Sequence, residues 1–465
     1  MIARLTPPAA RASALRRSML GSTWEGILAM PLVYLNLPAN LVVATLLAEA
    51  LRVPPDTYGL LVSLPFWCNL FQLFLAPVLF ARYRSRDVFL VTIWLNIAVW
   101  GAFAATLALL PDLVRANPGT IAGLFLMGGG ITTAVMAVSW TTYMQGWVPA
   151  RIRAVYFSRR NRAAQFSNLA FLLLAGLALT WPTLPVIATI IAVSCLLRTV
   201  SAVVAARVPA QGESVAESGG DWSTQWRELR RAGDFWRMVF FGAVWGAVAN
   251  GFGAFQPVFM LEILSGSAQQ ASLPLALSLL FGALAMPAWG RLLNRFGARP
   301  VLFCAVPLWA LVNLPWAFLT RETYWMLYPL WAFTGAINAG IVLAQLNLLM
   351  KLLPAGVRGL AVGSNMAAAS LGTAMAPIAA GQILAAAMAG GWASQTVYHA
   401  FFMTLPVFAG LTLLLLRRVR EPQAAPVEHV VGALRNVRTL AGALGLGFLA
   451  QTLFTPRGDG RRNEY

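Results

Sequence analysis

The sequence predicts an all-α polytopic membrane protein with twelve transmembrane helices arranged as two six-helix bundles. Of its 465 residues, 59% are hydrophobic and only 11% are charged, a composition that is unusual for a chain dissolved in water. The 39 glycines and 27 prolines divide the apolar sequence into long runs. Since a run of about 20 apolar residues can cross the hydrocarbon core, repeated crossing of a bilayer accounts for this composition.

Apolar runs long enough to span a membrane occur six times in each half of the chain. In the first half they lie near residues 24–48, 58–80, 88–110, 119–146, 163–181 and 184–206. In the second half they lie near residues 236–263, 272–290, 300–320, 324–350, 359–388 and 396–416. The equal numbers predict an N-terminal bundle over 1–207 and a C-terminal bundle over 235–418.

The positive charges predict which side of the membrane each loop faces. Of the 34 lysines and arginines, only Arg52, Arg115 and Arg321 fall on the side opposite to the two termini. Because cytoplasmic loops carry an excess of Lys and Arg, we expect both termini in the cytoplasm. A bacterial inner membrane is the expected location.

Two segments lie outside the predicted bundles. Residues 208–234 have mixed charges and a Gly-Gly pair, which is typical of a solvated linker, here with a short helix. Residues 419–465 form a cytoplasmic tail that is too short for a thirteenth span. Its apolar residues recur at helical spacing, which predicts an interfacial amphipathic helix.

Several function classes are excluded by the distribution of reactive and charged residues. The formal net charge of +18 does not indicate nucleic-acid binding, because the arginines lie at the ends of apolar runs. Cys68, Cys195 and Cys304 all lie inside such runs, and His399 and His429 are far apart. No catalytic or metal-binding cluster is indicated, so we expect no enzyme activity and no cofactor. A membrane-embedded lipid-linked transferase is a distant alternative.

The loop after the eighth run, Gly290 to Arg299, reads GRLLNRFGAR. It resembles the Gly-x-x-x-Asp-Arg-x-Gly-x-Arg loop of the major facilitator superfamily, except that Asn294 stands at the acidic position. The equivalent segment of the first half, Pro77 to Arg86, keeps the cations without the glycines or the acid. The resemblance implies a twelve-helix secondary transporter that is monomeric and alternates access to a midplane site by rocking of its halves.

The same resemblance implies that spans one, four, seven and ten line a central cavity. Polar and aromatic residues in these spans are therefore the candidate substrate contacts, and most are spaced for a shared helical stripe. They are Tyr34, Asn36, Asn40, Thr132, Ser139, Tyr143, Trp245, Asn250, Gln256, Asn338 and Gln345. For each residue, hydrogen bonding between helices is the alternative role.

The candidate lining predicts a neutral small-molecule substrate. Uncharged amides and aromatic faces suit a hydroxylated or amphipathic organic solute, and a sugar is the leading expectation. Export of amphipathic drugs or lipids is the alternative. The expected partners are this solute, a coupling proton or cation, and membrane lipids.

Charged residues within the spans are few. Glu25 is the coupling candidate, because intramembrane carboxylates mark proton or ion paths. The alternatives are a solvated carboxylate at the positive end of its helix and a carrier without proton coupling. Arg198 is expected to extend to the cytoplasmic interface as a membrane anchor.

Arginines in the cytoplasmic loops are candidates for a gate. We expect them to close the cytoplasmic mouth by pairing with groups of the opposite half. They are Arg153, Arg291, Arg295, Arg299 and Arg358. The alternative is that they only orient the chain in the membrane.

Overall fold

A computed structural model describes residues 8–37, 40–147, 150–208, 222–264, 266–354, 357–422 and 424–446. The regular structure in these ranges is helical, and none of them contains a β-strand. Within them, nine helices are long and apolar enough to cross a membrane. Two shorter apolar helices, Leu41–Ala50 and Ala163–Ala178, lie in the first and fifth predicted spans. The predicted all-α polytopic membrane fold is confirmed, and the chain is an integral membrane protein.

The helices of the first half follow the predicted spans. They are α1 (Pro8–Leu35), α2 (Leu41–Ala44), α3 (Pro55–Arg82), α4 (Ser85–Leu109), α5 (Pro111–Ala116), α6 (Pro118–Trp147), α7 (Ala150–Ala178) and α8 (Leu184–Ala206). A π-helical segment, Thr45–Ala50, continues α2. Helices α3, α5 and α6 begin with proline, whose fixed φ and missing N–H suit the first turn.

The helices of the second half start in the linker. They are α9 (Trp222–Arg231), α10 (Gly233–Val258), α11 (Ala268–Phe296), α12 (Ala298–Asn313), α13 (Leu327–Leu352), α14 (Arg358–Ala389), α15 (Ser394–Met403), α16 (Leu405–Arg417), α17 (Val427–Leu434) and α18 (Val437–Ala443). A π-helical segment, Phe259–Ile263, continues α10. Linker residues 209–221 lie outside the described part of the chain.

One compact unit comprises Met1–Leu229, Gly242–Ser272 and Gly356–Tyr398. Within this unit, α3 and α14 pack closely at two glycines. A Cβ atom on Gly59 would collide with the carbonyl of Pro377, and one on Gly381 would collide with that of Pro55. The missing side chains therefore let the two backbones touch.

A second compact unit comprises Arg230–Phe241, Leu273–Ala355 and His399–Tyr465. Here α12 packs on α13 and α16. The indole of Trp289 on α11 lies against Gly340 of α13, and its Nε1 donates to the carbonyl of Ala336 at 2.9 Å. Close packing in this unit also depends on glycine.

Each half of the chain contains an equivalent cap, in which an arginine binds the carbonyl end of a helix. Arg86 at the start of α4 donates to the carbonyl of Ala206 at the end of α8, at 2.6 Å. Arg299 at the start of α12 donates to the carbonyl of Arg417 at the end of α16, at 3.3 Å. Equivalent contacts in the two halves favour a duplicated six-helix unit.

The C-terminal segment differs from the single interfacial helix expected for it. Asn436 interrupts the helix, since its side chain accepts the N–H of Arg438 at 2.9 Å and so caps α18 separately from α17. Val430 and Ala443 are completely buried, and α17 packs on α12 while α18 packs on α13. Part of the apolar surface of the segment is therefore buried against protein.

We predict that Gly381→Leu destabilises the protein, because the new side chain must separate α3 from α14. Forcing extra carbon atoms into a packed interior typically costs about 1–3 kcal/mol. Thermal unfolding in detergent should show a lower midpoint. Gly101→Leu is the control, because a Cβ at that position of α4 meets no atom within 4 Å. Equal midpoints for the two variants would contradict the close contact.

Candidate functional site

The first predicted span is broken between Leu35 and Leu41. Asn40 bridges the break, since its Nδ2 donates to the carbonyls of Leu35 (3.0 Å) and Leu37 (2.6 Å). The hydroxyl of Tyr34 accepts the N–H of Leu41 at 3.2 Å. Side chains therefore satisfy backbone groups that a continuous helix would pair, as a break inside a membrane requires.

Asn36 belongs to a buried cluster of polar side chains from three helices. Its Oδ1 accepts from Nε1 of Trp100 on α4 (2.9 Å) and from the hydroxyl of Thr133 on α6 (2.7 Å). Asn96 of α4 donates to the same oxygen at 3.3 Å and to the hydroxyl of Thr132 at 2.8 Å. Asn36 is 8% exposed and Asn96 is 1% exposed. Asn36 and Thr132 thus hold helices together in this conformation.

The other candidates of the first unit are also largely enclosed. Ser139 and Asn250 each donate to a carbonyl one turn earlier in their own helix, at 2.8 and 2.9 Å. The hydroxyl of Tyr143 donates to a carbonyl at the end of α8 at 3.2 Å. Trp245 and Gln256 are buried. Their roles as substrate contacts remain predictions.

Two candidate substrate contacts lie on α13, in the second unit, and their side chains are more available for hydrogen bonding. Asn338 is exposed. Gln345 lies seven residues later on the same face, and its enclosed Nε2 has no hydrogen-bond partner in the described part of the chain. Since a buried amide without a partner is unfavourable, Gln345 is suited to a hydrogen bond with a solute or water.

A buried charge cluster joins α1, α7 and α8. The carboxylate of Glu25 accepts from Arg160 at 2.7 Å and from Arg198 at 3.1 Å, and all three residues are at least nine-tenths buried. Arg198 also donates to the hydroxyl of Ser201 at 3.0 Å. The guanidinium carbon of Arg160 lies 4.6 Å from the centre of the Trp140 ring.

This cluster corrects two expectations. Arg198 does not extend to the interface as an anchor, because its guanidinium group turns inward to Glu25. Glu25 is not solvated either, since it is 4% exposed and bound to two arginines. A Cβ on Gly26 would lie 2.7 Å from Nη2 of Arg160, so this glycine provides the space for the arginine.

The candidate gate arginines occupy different settings. The side chains of Arg153 and Arg358 lie outside the described part of the chain. Arg291 and Arg295 are exposed, whereas Arg299 binds carbonyls at the end of α16. The gate remains a prediction.

Glu421, directly after the last span, supplies a negative charge near the loop where Asn294 replaces the expected acid. Its carboxylate accepts the N–H groups of Ala298 (3.0 Å) and Arg299 (2.6 Å) at the start of α12. It also pairs with Lys351 of α13 at 2.6 Å. A carboxylate at a helix N-terminus is favourable, and here it ties two helices to the tail.

The sequence profile of the Major Facilitator Superfamily matches residues 26–265 and again residues 249–456. The chain belongs to the Major Facilitator Superfamily. The expected family is thus confirmed, and the paired matches fit two six-helix bundles. This major facilitator transporter has no match among curated proteins by sequence.

Solved transporters share this fold. A point mutant of the nucleoside transporter NupG gives a TM-score of 0.69 at 13% identity, covering 86% of this chain and 99% of its own. The xylose transporter XylE from E. coli gives 0.65 at 16%, covering 89% and 100%. A bacterial homologue of the human lysosomal transporter Spinster gives 0.62 at 17%, covering 97% and 98%. At these identities the likeness concerns the fold alone.

Sequence reasoning does not identify Asn96, Trp100 or Arg160 as partners in buried polar contacts. Asn96 and Trp100 lie in the third span, outside the helices that the family resemblance singles out. In the sequence, Arg160 is one of a series of arginines that follows the fourth predicted span. Two features of the sequence could have indicated this contact. Asn96 is a lone amide in an apolar run, and Trp100 lies four residues later on the same helix face.

We predict that Glu25→Gln strongly destabilises the transporter, because it leaves two buried guanidinium groups without a counter-charge. Removing one partner of a buried pair costs about 3–5 kcal/mol. The variant Glu25→Gln with Arg198→Met keeps the net charge of the cluster and should recover part of this loss. Thermal unfolding midpoints in detergent compare the two variants. A wild-type midpoint for Glu25→Gln alone would show that the cluster does not stabilise the fold.

Proposed function

We propose that this transporter moves a small neutral organic solute bearing several hydroxyl groups, such as a sugar, by secondary active transport with alternating access. The observation that carries the proposal is the broken first span with its amide-rich surroundings, in a chain of a transporter family. Discontinuous membrane helices with polar residues near the midplane are typical of substrate sites in secondary transporters. The bundles 1–207 and 235–418 would rock about that site.

The chemistry of the candidate residues supports a neutral solute. Asn40, Asn338 and Gln345 offer amide donors and acceptors, and none carries a charge. The buried charges of Glu25 and its arginines are engaged with one another. The solved neighbours NupG and XylE are a nucleoside and a xylose transporter, and both solutes carry several hydroxyl groups.

Orientation and gating complete the proposal. The arginine distribution supports cytoplasmic termini in a bacterial inner membrane. Arg153, Arg291, Arg295, Arg299 and Arg358 would then face the cytoplasm, where they would close the inner mouth. The transporter would work as a monomer.

A binding panel tests the substrate class. We predict that neutral sugars or nucleosides raise the thermal unfolding midpoint of the purified transporter, because a ligand that binds the folded state stabilises it. A lipophilic cation should leave the midpoint unchanged. A shift with the lipophilic cation alone would favour the alternative, export of amphipathic compounds.

Variants on α13 test the site. We predict that Asn338→Leu and Gln345→Met each weaken solute binding about 3- to 10-fold, as expected for losing one hydrogen bond of about 0.5–1.5 kcal/mol. Their unfolding midpoints should stay near wild type. Asn36→Leu should instead lower the midpoint, because it leaves Trp100 and Thr133 without their acceptor. Unchanged affinity in both α13 variants would remove these residues from the site.

Proton coupling through Glu25 is a separate part of the proposal. Glu25→Gln should abolish any uptake driven by a pH gradient. The charge-balanced variant, which also carries Arg198→Met, separates coupling from stability. If that variant folds and still responds to the pH gradient, Glu25 is not the coupling group.

A further inference from the structure

A polar groove lies between the end of α11 and the two C-terminal helices. It has a volume of about 740 Å³. Its lining includes Arg295 from α11, Glu428 and His429 from α17, and Asn436 and Thr439 at the start of α18. No residue of α17 or α18 has a role in the proposed transport site.

The walls of the groove are fixed to one another. The N–H of Ala425 donates to the carbonyl of Phe296 at 2.9 Å, which joins the tail to the end of α11. Glu421 holds the tail against α12. A Cβ on Gly442 of α18 would lie 3.1 Å from that of Ala288 on α11, so the two helices are in close contact. The shape of the groove is therefore fixed by contacts within this unit.

The groove carries a cation, Arg295, that forms no ion pair with the described residues. Arg295 is exposed. Its guanidinium carbon lies 5.0 Å from the centre of the Phe296 ring, which positions the group. Arg435 and Arg438 are also exposed at the turn between α17 and α18, whereas Glu428 is the one acid among the lining residues. The local balance of charge favours an anion.

The position of the groove indicates which anion it binds. The apolar helix Ala268–Phe296 is long enough to cross the membrane, and the groove opens at its last turn. The end of a membrane-spanning helix lies at the level of the lipid headgroups, where basic pockets bind acidic lipids. A phosphate at this depth is most readily supplied by a phospholipid.

We propose that the groove binds the headgroup of an anionic phospholipid of the phosphatidylglycerol class. The guanidinium of Arg295 and the imidazole of His429 contact the phosphate. Asn436 and Thr439 hydrogen-bond the glycerol hydroxyls. Because the tail forms one wall, the bound lipid fastens α17 and α18 to α11.

Lipid titration of the full-length transporter in detergent tests this site. Short-chain phosphatidylglycerol should raise the thermal unfolding midpoint at saturation, whereas short-chain phosphatidylcholine and inorganic phosphate should not. Arg295→Gln combined with His429→Gln should weaken the phosphatidylglycerol response at least about 10-fold, as expected for losing a charged contact of about 1.4 kcal/mol or more. Native mass spectrometry should show fewer retained anionic lipids on this variant.

Arg418→Gln is the matched control, because Arg418 is exposed at the end of α16 and does not line the groove. It should respond to lipid as the wild type does. An equal loss in this control would show general surface attraction and overturn the site. A response to inorganic phosphate equal to that of the lipid would identify a soluble phosphate ligand instead, and no response to either would also refute the proposal.

Discussion

The structure depends on one constraint: a polar group placed in hydrocarbon must find its partner within the protein. Polar side chains at the break in the first span meet this constraint in specific ways. Asn40 and Tyr34 satisfy the backbone at the break of the first span. Asn36 collects donors from α4 and α6. Side chains that flank the break therefore satisfy its backbone groups, and α4 and α6 bind the side chain of Asn36 beside it.

The same constraint explains which parts of the fold could be predicted from sequence. A membrane span is a local property, since length and hydropathy identify it, and the helices accordingly follow the predicted runs. The partner of a polar side chain is a tertiary property. Asn36 is recognisable in the sequence as a polar residue of the first span, but its bonds to Trp100 and Thr133 join positions 64 and 97 residues apart. No spacing rule within one helix could reveal them.

Charged residues show this limit most clearly. Arg198 near the end of an apolar run has the sequence pattern of an interfacial anchor, and only the arrangement of α1 and α8 shows that it faces Glu25. Because two arginines share one carboxylate, the cluster keeps a net positive charge in the interior. Bonds to Ser201 and to the carbonyl of Ser22 distribute that charge over neutral dipoles. The cluster consequently orders three helices of the first unit.

The two halves cap the ends of their helices in partly different ways. At the ends of α8 and α16, Arg86 and Arg299 make the same contact with helix carbonyls. At the start of α12, however, the N–H groups are capped by Glu421, which lies beyond the last span. Because Asn294 stands at the acidic position of the loop and Glu421 supplies the negative charge instead, the start of α12 depends on the C-terminal segment. This dependence holds the tail against α11, α12 and α13. It accounts for the burial of Val430 and Ala443, whereas the sequence alone indicated a helix at the lipid surface.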